Sequence, residues 1–344
     1  MTAQVLDRRV FAEFFATGAA GASRGEARAL WDAMGDAAVG GKGLRPALLQ
    51  ATYEAFGGTR PELAQHVGDA VELLHTAFVM HDDVIDRDLH RRGRPNVSGA
   101  FEARGRAAGA SASRAQRYGQ AAGILAGDLA LVGATRLVAT VDTDRETVAR
   151  LLDLLDETVR VTAAGELGDV RLGLHVDHPT LADVLTVEEQ KTAVYSFSLP
   201  MRAGAILAQA PAAVLPALDR LGRLVGIAFQ LQDDLLGTFG DEAETGKSTL
   251  SDLREGTVTA LVVHARSTSA WPAIAPHLGD PHLTRAAADD VRAALTACGS
   301  RELVEELLDQ HVREARLLAR DLRAVAPVIE RLTEDLLSGT RRAA

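Results

Sequence analysis

Residues 71–88, VELLHTAFVMHDDVIDRD, form an apolar segment with four aspartates in its last eight residues. Its first ten residues are apolar enough to form a buried helix. At about 3.6 residues per turn, Asp82 and Asp86 fall on one helix face, one turn apart, with Asp83 beside them. Like charges at this spacing destabilise an isolated helix, so the segment predicts a bound positive charge.

Grouped carboxylates of this kind can hold a hard cation. Mg²⁺ keeps several waters and commonly bridges a few carboxylates to phosphate oxygens. The alternative is a solvated acidic helix end that is neutralised by Arg87, Arg91 and Arg92. The stretch alone does not decide between these two interpretations.

A second stretch, FQLQDDLLG at residues 229–237, repeats the arrangement. Asp233 and Asp234 again end an apolar helix, and Gln230 is spaced to share a face with them. Two such segments make a chance arrangement less plausible. If the two helices meet across a cavity, both carboxylate groups would face one metal–diphosphate cluster.

Basic residues complete the pattern. The segment GGKGLRP, residues 40–46, places Lys42 and Arg45 on a glycine-rich backbone that can approach an anion closely. Arg91 and Arg92 follow the first aspartates within two helical turns. Arginine suits bidentate phosphate contacts, and lysine suits point-charge contacts.

The rest of the chain favours helix over strand, because aromatic residues make up only 4% and alternating β-branched runs are few. Apolar residues at three- and four-residue spacing predict a helical bundle, with the uncharged run 224–231 in a central helix. The predicted helices are 146–164, 181–210 (kinked or split at Pro200), 216–236 and 301–325. We expect one all-α domain over residues 1–344, a mobile loop near 102–120 and a surface loop near 269–281.

Composition excludes several classes of protein. The chain has 344 residues and a net charge of -10, which argues against nucleic acid as a partner. The start of the chain lacks the apolar run of a signal peptide, and the single cysteine, Cys298, cannot form an intramolecular disulfide. The apolar stretches 71–80 and 121–134 are too short or too interrupted to cross a bilayer. We therefore expect a cytoplasmic protein with no transmembrane segment.

The ordered motifs resemble those of the trans-type isoprenyl diphosphate synthases, the polyprenyl synthetase family, and are most similar to bacterial geranylgeranyl diphosphate synthases. The motifs are GGKGLRP at 40–46, LLHTAFVMHDDVIDRDLHRRG at 73–93, GILAGD at 123–128, GELGD at 165–169, KT at 191–192 and FQLQDD at 229–234. The resemblance implies a single-domain isoprenoid-synthase helical bundle around a central catalytic cavity, usually a homodimer. It also implies a head-to-tail condensation of isopentenyl diphosphate with an allylic diphosphate (dimethylallyl, geranyl or farnesyl).

The resemblance assigns roles to residues. Asp82, Asp83 and Asp86 would bind Mg²⁺ from one side, and Asp233 from the other. Arg91, Lys191 and Lys247 would contact the allylic diphosphate, and the diphosphate of isopentenyl diphosphate would be held by Lys42, Arg45, His75 and Arg92. Thr192 and Gln230, with the carbonyl of Lys191, would stabilise the allylic cation. His75 lies two turns before Asp82, which favours a role in the site over a core histidine.

Product length is expected to depend on the helix before the first aspartates. In this family, bulky aromatic residues four and five positions before the motif stop growth at farnesyl. Here Phe78 and Ala77 occupy those positions, with Leu74 one turn further back. The small Ala77 predicts geranylgeranyl diphosphate (C20) as the main product, with C15 and then C25 as alternatives.

Two departures from the family pattern weaken the second site. Gly237 replaces the last aspartate of the second motif, although Asp241 follows one turn later, and Thr257 with Val258 stands where many relatives have basic residues. A terpene cyclase is a competing hypothesis, but cyclases generally lack the isopentenyl diphosphate cluster. A non-catalytic partner subunit is another, but such subunits usually lose carboxylates from the first motif.

Overall fold

Most of the described part of the protein is helical. The computed structural model describes residues 9–22, 24–40, 43–240 and 249–342, and 79% of the chain is helical. Within those ranges, the strands are limited to a small hairpin of β1 (His90–Arg91) and β2 (Arg94–Pro95). The predicted all-α fold is confirmed.

The chain divides into two compact units. The first comprises Met1–Leu155 and Ala203–Gln209, and the second comprises Asp156–Arg202 and Ala210–Ala344. The prediction of one domain over residues 1–344 stays a prediction. The helices of the first unit are α1 (Arg9–Gly21), α2 (Glu26–Ala38), α3 (Leu44–Ala55), α4 (Pro61–Ile85), α5 (Val97–Ala107), α6 (Ala112–Ala139) and the beginning of α7 (Arg145–Leu172).

Helix α4 is the core of the first unit. It begins at Pro61, whose missing N–H costs nothing in the first helical turn. Pro46 of α3 packs against Gly68 of α4. From α1, the backbone N–H of Phe11 donates a hydrogen bond of 3.1 Å to the buried Asp69 carboxylate. The helix is therefore held along its length before it reaches the aspartates.

Small residues bring α6 against the last turns of α4. A Cβ at Gly123 would lie 2.4 Å from the Val84 side chain, and one at Gly127 would lie 2.3 Å from Nε2 of His81. Any larger residue at these positions would force the two helices apart. Nε2 of His81 also lies 3.3 Å from the Asp128 carboxylate. Helix α6 thus positions the end of α4.

The mobile loop predicted near 102–120 is wrong. Those residues form the end of α5, a short turn and the first part of α6. The two helices pack through Gly105 against Ala115, and through the rings of Phe101 and Tyr118, whose centroids are 5.1 Å apart. The segment shows no apolar period because glycine and alanine, rather than large side chains, form most of this contact.

Helix α6 has a second, outward face. It is long and apolar enough to cross a membrane by length and composition alone, and 44% of its most apolar stretch is buried within the protein. Because the helix extends well beyond residues 121–134, length does not exclude it as a spanning segment. A buried core helix also meets this criterion, so the absence of a transmembrane segment stays a prediction.

The second unit contains the remaining helices, and α10 is central among them. Helix α10 packs against the π-helical segment, α15 and α16, and Leu221, Val225 and Leu231 are fully buried. This confirms the central helix predicted from the run 224–231. The elements are the rest of α7, α8 (Leu181–Glu188), a π-helical segment (Glu189–Ser198), the beginning of α9 (Leu199–Leu207), α10 (Leu215–Phe239), α11 (Ser251–Glu255), α12 (Ala260–Arg266), α13 (Trp271–Ile274), α14 (Arg285–Ala297), α15 (Ser300–Asp321) and α16 (Ala326–Arg342). The part of α9 from Ala203 onward belongs to the first unit.

The predicted irregularity at Pro200 takes the form of the π-helical segment that precedes it. Pro200 cannot donate a backbone hydrogen bond, and its ring crowds the carbonyl of the residue four positions back. Just before Pro200, the backbone N–H of Leu199 bonds to the carbonyl of Val194, five residues back, whereas an α-helical bond would span four residues. The wider turn carries Lys191 and Thr192, in line with the tendency of π-helical turns to occur at functional sites.

Other predicted boundaries shift by a few residues. Helix α7 extends past the predicted 146–164, and α15 ends four residues before the predicted 325, near Arg323, whose φ is 25°. The predicted surface loop near 269–281 contains α13 and a short 3₁₀ turn (Ala275–His277), with Ile274 buried beneath it.

Candidate active site

The first aspartate-rich segment lies at the carboxyl end of α4. Asp82 and Asp83 are in the last helical turn, and Asp86 caps it with its N–H bonded to the carbonyl of Asp82 at 2.8 Å. Asp83 is buried, Asp82 is half-buried and Asp86 is exposed. The three carboxylates therefore range from the interior to solvent over little more than one turn.

Arg91 of the β-hairpin neutralises this segment. Its Nε donates to Oδ1 of Asp83 at 2.8 Å, and Nη2 donates to Oδ2 of Asp82 at 3.1 Å. One guanidinium thus bridges two neighbouring carboxylates, which suits its fork of donors. The positive charge that the sequence calls for is Arg91 in this structure.

Asp83 is electrostatically strained despite this contact. Burial raises the pKa of Asp83 to about 6, and the charges of Asp82 and Asp88 add to the rise, while Arg91 opposes it. The buried carboxylate thus gains from any further positive charge placed beside it.

The hairpin also places Arg92 at the glycine-rich segment. Arg92 and Gly93 form the two-residue turn, both with positive φ (53° and 74°), as tight hairpin turns require. A Cβ at Gly40 would lie 3.1 Å from the Arg92 guanidinium. Two sequence-distant parts of the predicted isopentenyl diphosphate pocket therefore meet.

The other residues of that predicted pocket are only partly placed. Arg45 is half-buried in the first turn of α3, and His75 is half-buried on α4, seven residues before Asp82. Lys42 lies outside the described residues, as do Lys247 and Asp241 of the second site.

The second aspartate-rich segment lies at the carboxyl end of α10. Nε2 of Gln230 donates to Oδ1 of Asp234 at 3.0 Å, so the predicted shared face is real. Asp234 is buried, and burial raises its pKa to about 8, with further contributions from the charges of Asp252 and Asp233. Asp233 is half-buried.

Glu188, which the sequence analysis missed, faces Asp234. Burial raises the pKa of Glu188 well above its usual range, and Asp234 adds to the rise. Oε2 of Glu188 and Oδ2 of Asp234 are buried and find no donor among the described residues. Two acceptors in contact need a shared proton or a cation between them.

Lys191 does not lie free in the second unit. Its ammonium lies 2.6 Å from the Asp169 carboxylate and 3.2 Å from that of Glu166, both on α7. Gly165 permits this, since a Cβ there would lie 2.3 Å from the backbone nitrogen of Lys191. Both carboxylates belong to the GELGD motif at 165–169, and they position the lysine. Thr192 follows on the same segment.

The donor set fits a hard divalent cation. Carboxylate oxygens are the ligands that Mg²⁺ prefers, and the buried oxygens of Asp234 and Glu188 need positive charge. In the part of the chain that the structure describes, no three His, Cys, Asp or Glu side chains already converge as a metal site. Binding of a metal by Asp82 and Asp83 would require their carboxylates to turn from Arg91.

The candidate chain-length residues lie one to two turns before the first aspartates. Leu74 and Ala77 are fully buried, and Phe78 is half-buried. Their positions on α4 agree with the spacing expected from the sequence, and their role stays a prediction.

Carboxylates that can hold Mg²⁺, with arginines close by, are suited to the binding of phosphate groups. The Polyprenyl synthetase family model matches residues 28–292, and the chain belongs to that family. The predicted family is confirmed, and with it the enzyme class, a prenyltransferase.

Curated relatives carry names with different product lengths. The geranylgeranyl diphosphate synthase of Methanosarcina mazei is 32% identical over 81% of this chain and 79% of its own. The (2E,6E)-farnesyl diphosphate synthase of Mycobacterium tuberculosis is 36% identical over 75% of this chain and 67% of its own. The geranylgeranyl diphosphate synthase of Sulfolobus acidocaldarius is 35% identical, but the match spans only 62% of its length.

The fold matches solved structures over nearly the whole chain. The geranylgeranyl pyrophosphate synthase of Corynebacterium glutamicum, complexed with isoprenyl diphosphate and magnesium, has a TM-score of 0.86 and 28% identity, with 97% of each chain covered. A polyprenyl synthase of Caulobacter crescentus, complexed with calcium and isoprenyl diphosphate, has a TM-score of 0.74 and 26% identity. Those two proteins thus bind the ligand class that the motifs here predict.

Proposed function

We propose that this protein catalyses the Mg²⁺-dependent, head-to-tail condensation of isopentenyl diphosphate with an allylic diphosphate, and that its main product is geranylgeranyl diphosphate. The observation that carries the proposal is the hairpin β1–β2. Its Arg91 contacts the metal-binding candidates Asp82 and Asp83, and its Arg92 lies beside the glycine-rich segment at Gly40. One small element thus links the candidate sites of both substrates.

The allylic diphosphate is bound by the acidic segments and their cations. In the first unit, Asp82, Asp83 and Asp86 are the residues that would hold Mg²⁺, and in the second unit Asp233 is the candidate ligand. When bound, Mg²⁺ supplies positive charge for the departing diphosphate. Arg91, released from Asp82 and Asp83, then donates to that diphosphate. Lys191 and Lys247 do the same in the second unit, where Lys191 leaves Asp169 and Glu166.

Bond breaking and bond making need few protein groups. The allylic C–O bond breaks, and its electron pair leaves with the diphosphate. The oxygen dipoles of Thr192 and Gln230, with the carbonyl of Lys191, stabilise the allylic cation without trapping it. The double bond of isopentenyl diphosphate forms the new C–C bond, and the released diphosphate accepts the proton that is lost.

Isopentenyl diphosphate is bound by a separate set of cations. Arg92, Arg45 and His75, together with Lys42, hold its diphosphate. The contact between Arg92 and Gly40 supports this assignment, because backbone without side chains can approach an anion closely. Arginine then supplies bidentate donors.

The product length follows from the space beside α4. Ala77 contributes only a methyl group one turn or more before Asp82, and the half-buried Phe78 lies beside it. These two residues, with Leu74, favour C20. The names of the relatives include farnesyl diphosphate synthases, so C15 is the second candidate and C25 the third.

We also infer that a second copy of the chain covers the outer face of α6. Leu125, Leu129 and Val132 form an exposed stripe of large apolar side chains at helical spacing, with Ile124 beside it. The opposite face is packed against α4 and α5, so entry of α6 into a membrane would dismantle the first unit. A homodimer would cover the exposed stripe while α6 stays packed against α4 and α5. We therefore propose a cytoplasmic homodimer with no transmembrane segment.

The decisive experiment incubates the purified chain with isopentenyl diphosphate and each allylic primer in turn, with Mg²⁺ or with a chelator. We expect diphosphate release only with metal, and a C20 product on chromatography. A cyclic hydrocarbon product would support a terpene cyclase instead, and no release with any primer would contradict the proposal. Light scattering of the same sample should give twice the mass of one chain.

A further inference from the structure

The π-helical segment is tied to α10 at both of its ends. At its first residue, Nη1 of Arg223 donates a hydrogen bond to the Glu189 carboxylate. At its last residue, the hydroxyl of Ser198 donates to Oδ1 of Asp219. Asp219 and Arg223 lie one turn apart on α10, and Nε of Arg223 donates to Oδ2 of Asp219 at 2.8 Å. One ion pair on α10 therefore holds both ends of a ten-residue segment.

Two glycines let the segment and α10 approach each other closely. A Cβ at Gly226 would lie 2.2 Å from the Cβ of Ala193, and one at Gly222 would lie 2.5 Å from the backbone of the segment. Ala193 directly follows Thr192, and Gly226 lies one turn before Gln230. The contact between the segment and the helix therefore lies beside the residues proposed to stabilise the allylic cation.

The same ion pair is connected to α7 through Arg202. The Arg202 guanidinium donates two hydrogen bonds to the Glu157 carboxylate of α7, at 3.0 and 2.9 Å. Its Nη1 also lies 3.4 Å from Oδ1 of Asp219. Helix α7 carries the two carboxylates of the GELGD motif that contact Lys191. One network within the second unit thus connects the segment, α7 and α10.

The conformation of the segment decides where its side chains lie. π-Helical turns are rare, and α-helical bonding is the common alternative. A return to α-helical bonding would move the N–H of Leu199 from the carbonyl of Val194 to that of Tyr195. Such a shift of one residue rotates side chains by about 100° around the helix axis. It would therefore carry Lys191 away from its present position.

We propose that Asp219 and Arg223 are positioning residues, which hold the segment in its π-helical form so that Lys191 and Thr192 reach the allylic diphosphate. This inference rests on the proposed function, which assigns those two residues to that substrate. Asp219 and Arg223 act through the two ends of the segment and not by contact with the substrate.

The test changes the ion pair from either side. Arg223→Met removes the charge and keeps an apolar stem of similar length. Glu189→Gln weakens the same contact from the segment. Arg220→Met is the matched control, because Arg220 is exposed on the same helix. The readouts are a crystal structure, hydrogen exchange of the amides of residues 189–198, and turnover with the Michaelis constants of both substrates.

We expect Arg223→Met to return the segment to α-helical bonding and to speed the exchange of its amides. Turnover should fall by about 10- to 100-fold, as for a small misplacement of groups around the reacting atoms. The Michaelis constant for isopentenyl diphosphate should change little, because that substrate is assigned to the first unit. Glu189→Gln should act in the same direction but more weakly, and Arg220→Met should match the wild type.

Combination with Lys191→Met distinguishes positioning from a general loss of stability. If Arg223 acts through the segment, Arg223→Met should lower turnover much less in the Lys191→Met background than in the wild-type chain, since the two changes disturb one group. Fully additive losses would contradict the inference.

Unchanged π-helical bonding in Arg223→Met would overturn the inference, whether turnover falls or not, and so would a change to α-helical bonding that leaves turnover intact. If Arg223→Met does not fold, Glu189→Gln is judged by the same criteria. The structural readouts need no activity. A wild-type chain without condensation activity would therefore refute the proposed function, while the bonding in Arg223→Met would still show whether the ion pair holds the segment.

Discussion

The repulsion between neighbouring carboxylates is compensated differently at the two acidic helix ends. At the end of α4, Arg91 bridges Asp82 and Asp83, and burial leaves the pKa of Asp83 raised only to about 6. At the end of α10, Asp234 faces Glu188 and receives an amide from Gln230, and its pKa rises to about 8. The first end is compensated by a guanidinium. At the second, two buried carboxyl groups face each other and need a shared proton or a cation.

This difference predicts that the two helix ends bind metal under different conditions. An arginine that holds two carboxylates can be displaced by a metal and then remain beside it, as a ready contact for a phosphate. A protonated carboxyl pair must lose its proton before it can bind a cation, so metal binding there depends on pH. From the raised pKa values of about 6 for Asp83 and about 8 for Asp234, we expect the first site to bind metal at a lower pH than the second.

Loss of the carboxylates at the end of α4 should lower turnover more than any other change. Asp82→Ala or Asp83→Ala should lower turnover by about three orders of magnitude or more, since both metal binding and charge stabilisation are lost. Circular dichroism should show an intact helical fold. Asp88→Asn, on the same segment, is the control and should keep near-normal turnover. Normal turnover in either alanine variant, with unchanged Mg²⁺ dependence, would remove the metal assignment.

Removal of Arg91 tests how the acidic end of α4 is compensated. Arg91→Ala should raise the pKa of Asp83 further, because the cation that opposes burial is gone. Turnover should fall by about 100- to 1000-fold, as for the loss of one donor that stabilises developing negative charge. The pH profile of turnover should shift to higher pH. A loss of turnover with an unshifted profile would mean that Arg91 does not govern the ionisation of Asp83.

The second pocket offers a contrast with both acidic sites. Arg45→Ala and His75→Ala should raise the Michaelis constant for isopentenyl diphosphate by about tenfold, since each removes one charged or polar contact. The constant for the allylic substrate should change little. Kinetics with each substrate varied in turn measures this. Equal rises in both constants would contradict two separate pockets.

The pH dependence of stability tests the proton at the second helix end. Asp83 and Asp234 both have folded-state pKa values above the ordinary aspartate value, so the folded protein binds more protons than the unfolded chain above about pH 4. Without metal, the free energy of unfolding should therefore decrease as pH rises, up to about 6 for Asp83 and about 8 for Asp234. Denaturant titrations should show that Asp234→Asn flattens the part between about pH 6 and 8. An increase in stability over that window would contradict the raised pKa values.

The sequence predicts the helices and their acidic ends because both depend on the spacing of residues that are close together in the chain. Asp82 and Asp86, or Gln230 and Asp234, are one turn apart, and this relation survives folding. Contacts between distant segments have no such signal. Nothing in the sequence indicates that Arg223 contacts Glu189 or that Glu188 faces Asp234. The helices over 102–120 were missed for a related reason, since glycine and alanine pack helices closely without an apolar stripe.

Substitutions just before the aspartates should change the length of the product and have little effect on its rate of formation. Because α4 and α10 carry the same pair of residues there, one helix serves as a control for the other. Ala77 and Phe78 precede Asp82 by five and four residues, and Ala228 and Phe229 precede Asp233 by the same intervals. Both alanines are fully buried. Phe229 has a packing partner in Phe197, with ring centroids 5.6 Å apart.

If the growing chain runs along α4, its floor is set by the first pair and not by the second. Ala77→Phe should then shorten the product toward C15, because the ring fills the space beside Phe78, and Phe78→Ala should lengthen it beyond C20. Phe229→Ala should leave the length at C20 while it lowers the melting temperature, because it removes a ring from a packed pair. Chromatography of dephosphorylated products separates these outcomes. A longer product from Phe229→Ala with no change from the α4 variants would show that α10, not α4, limits the product length. The two helix ends would then differ in their effect on product length as well as in how their charges are compensated.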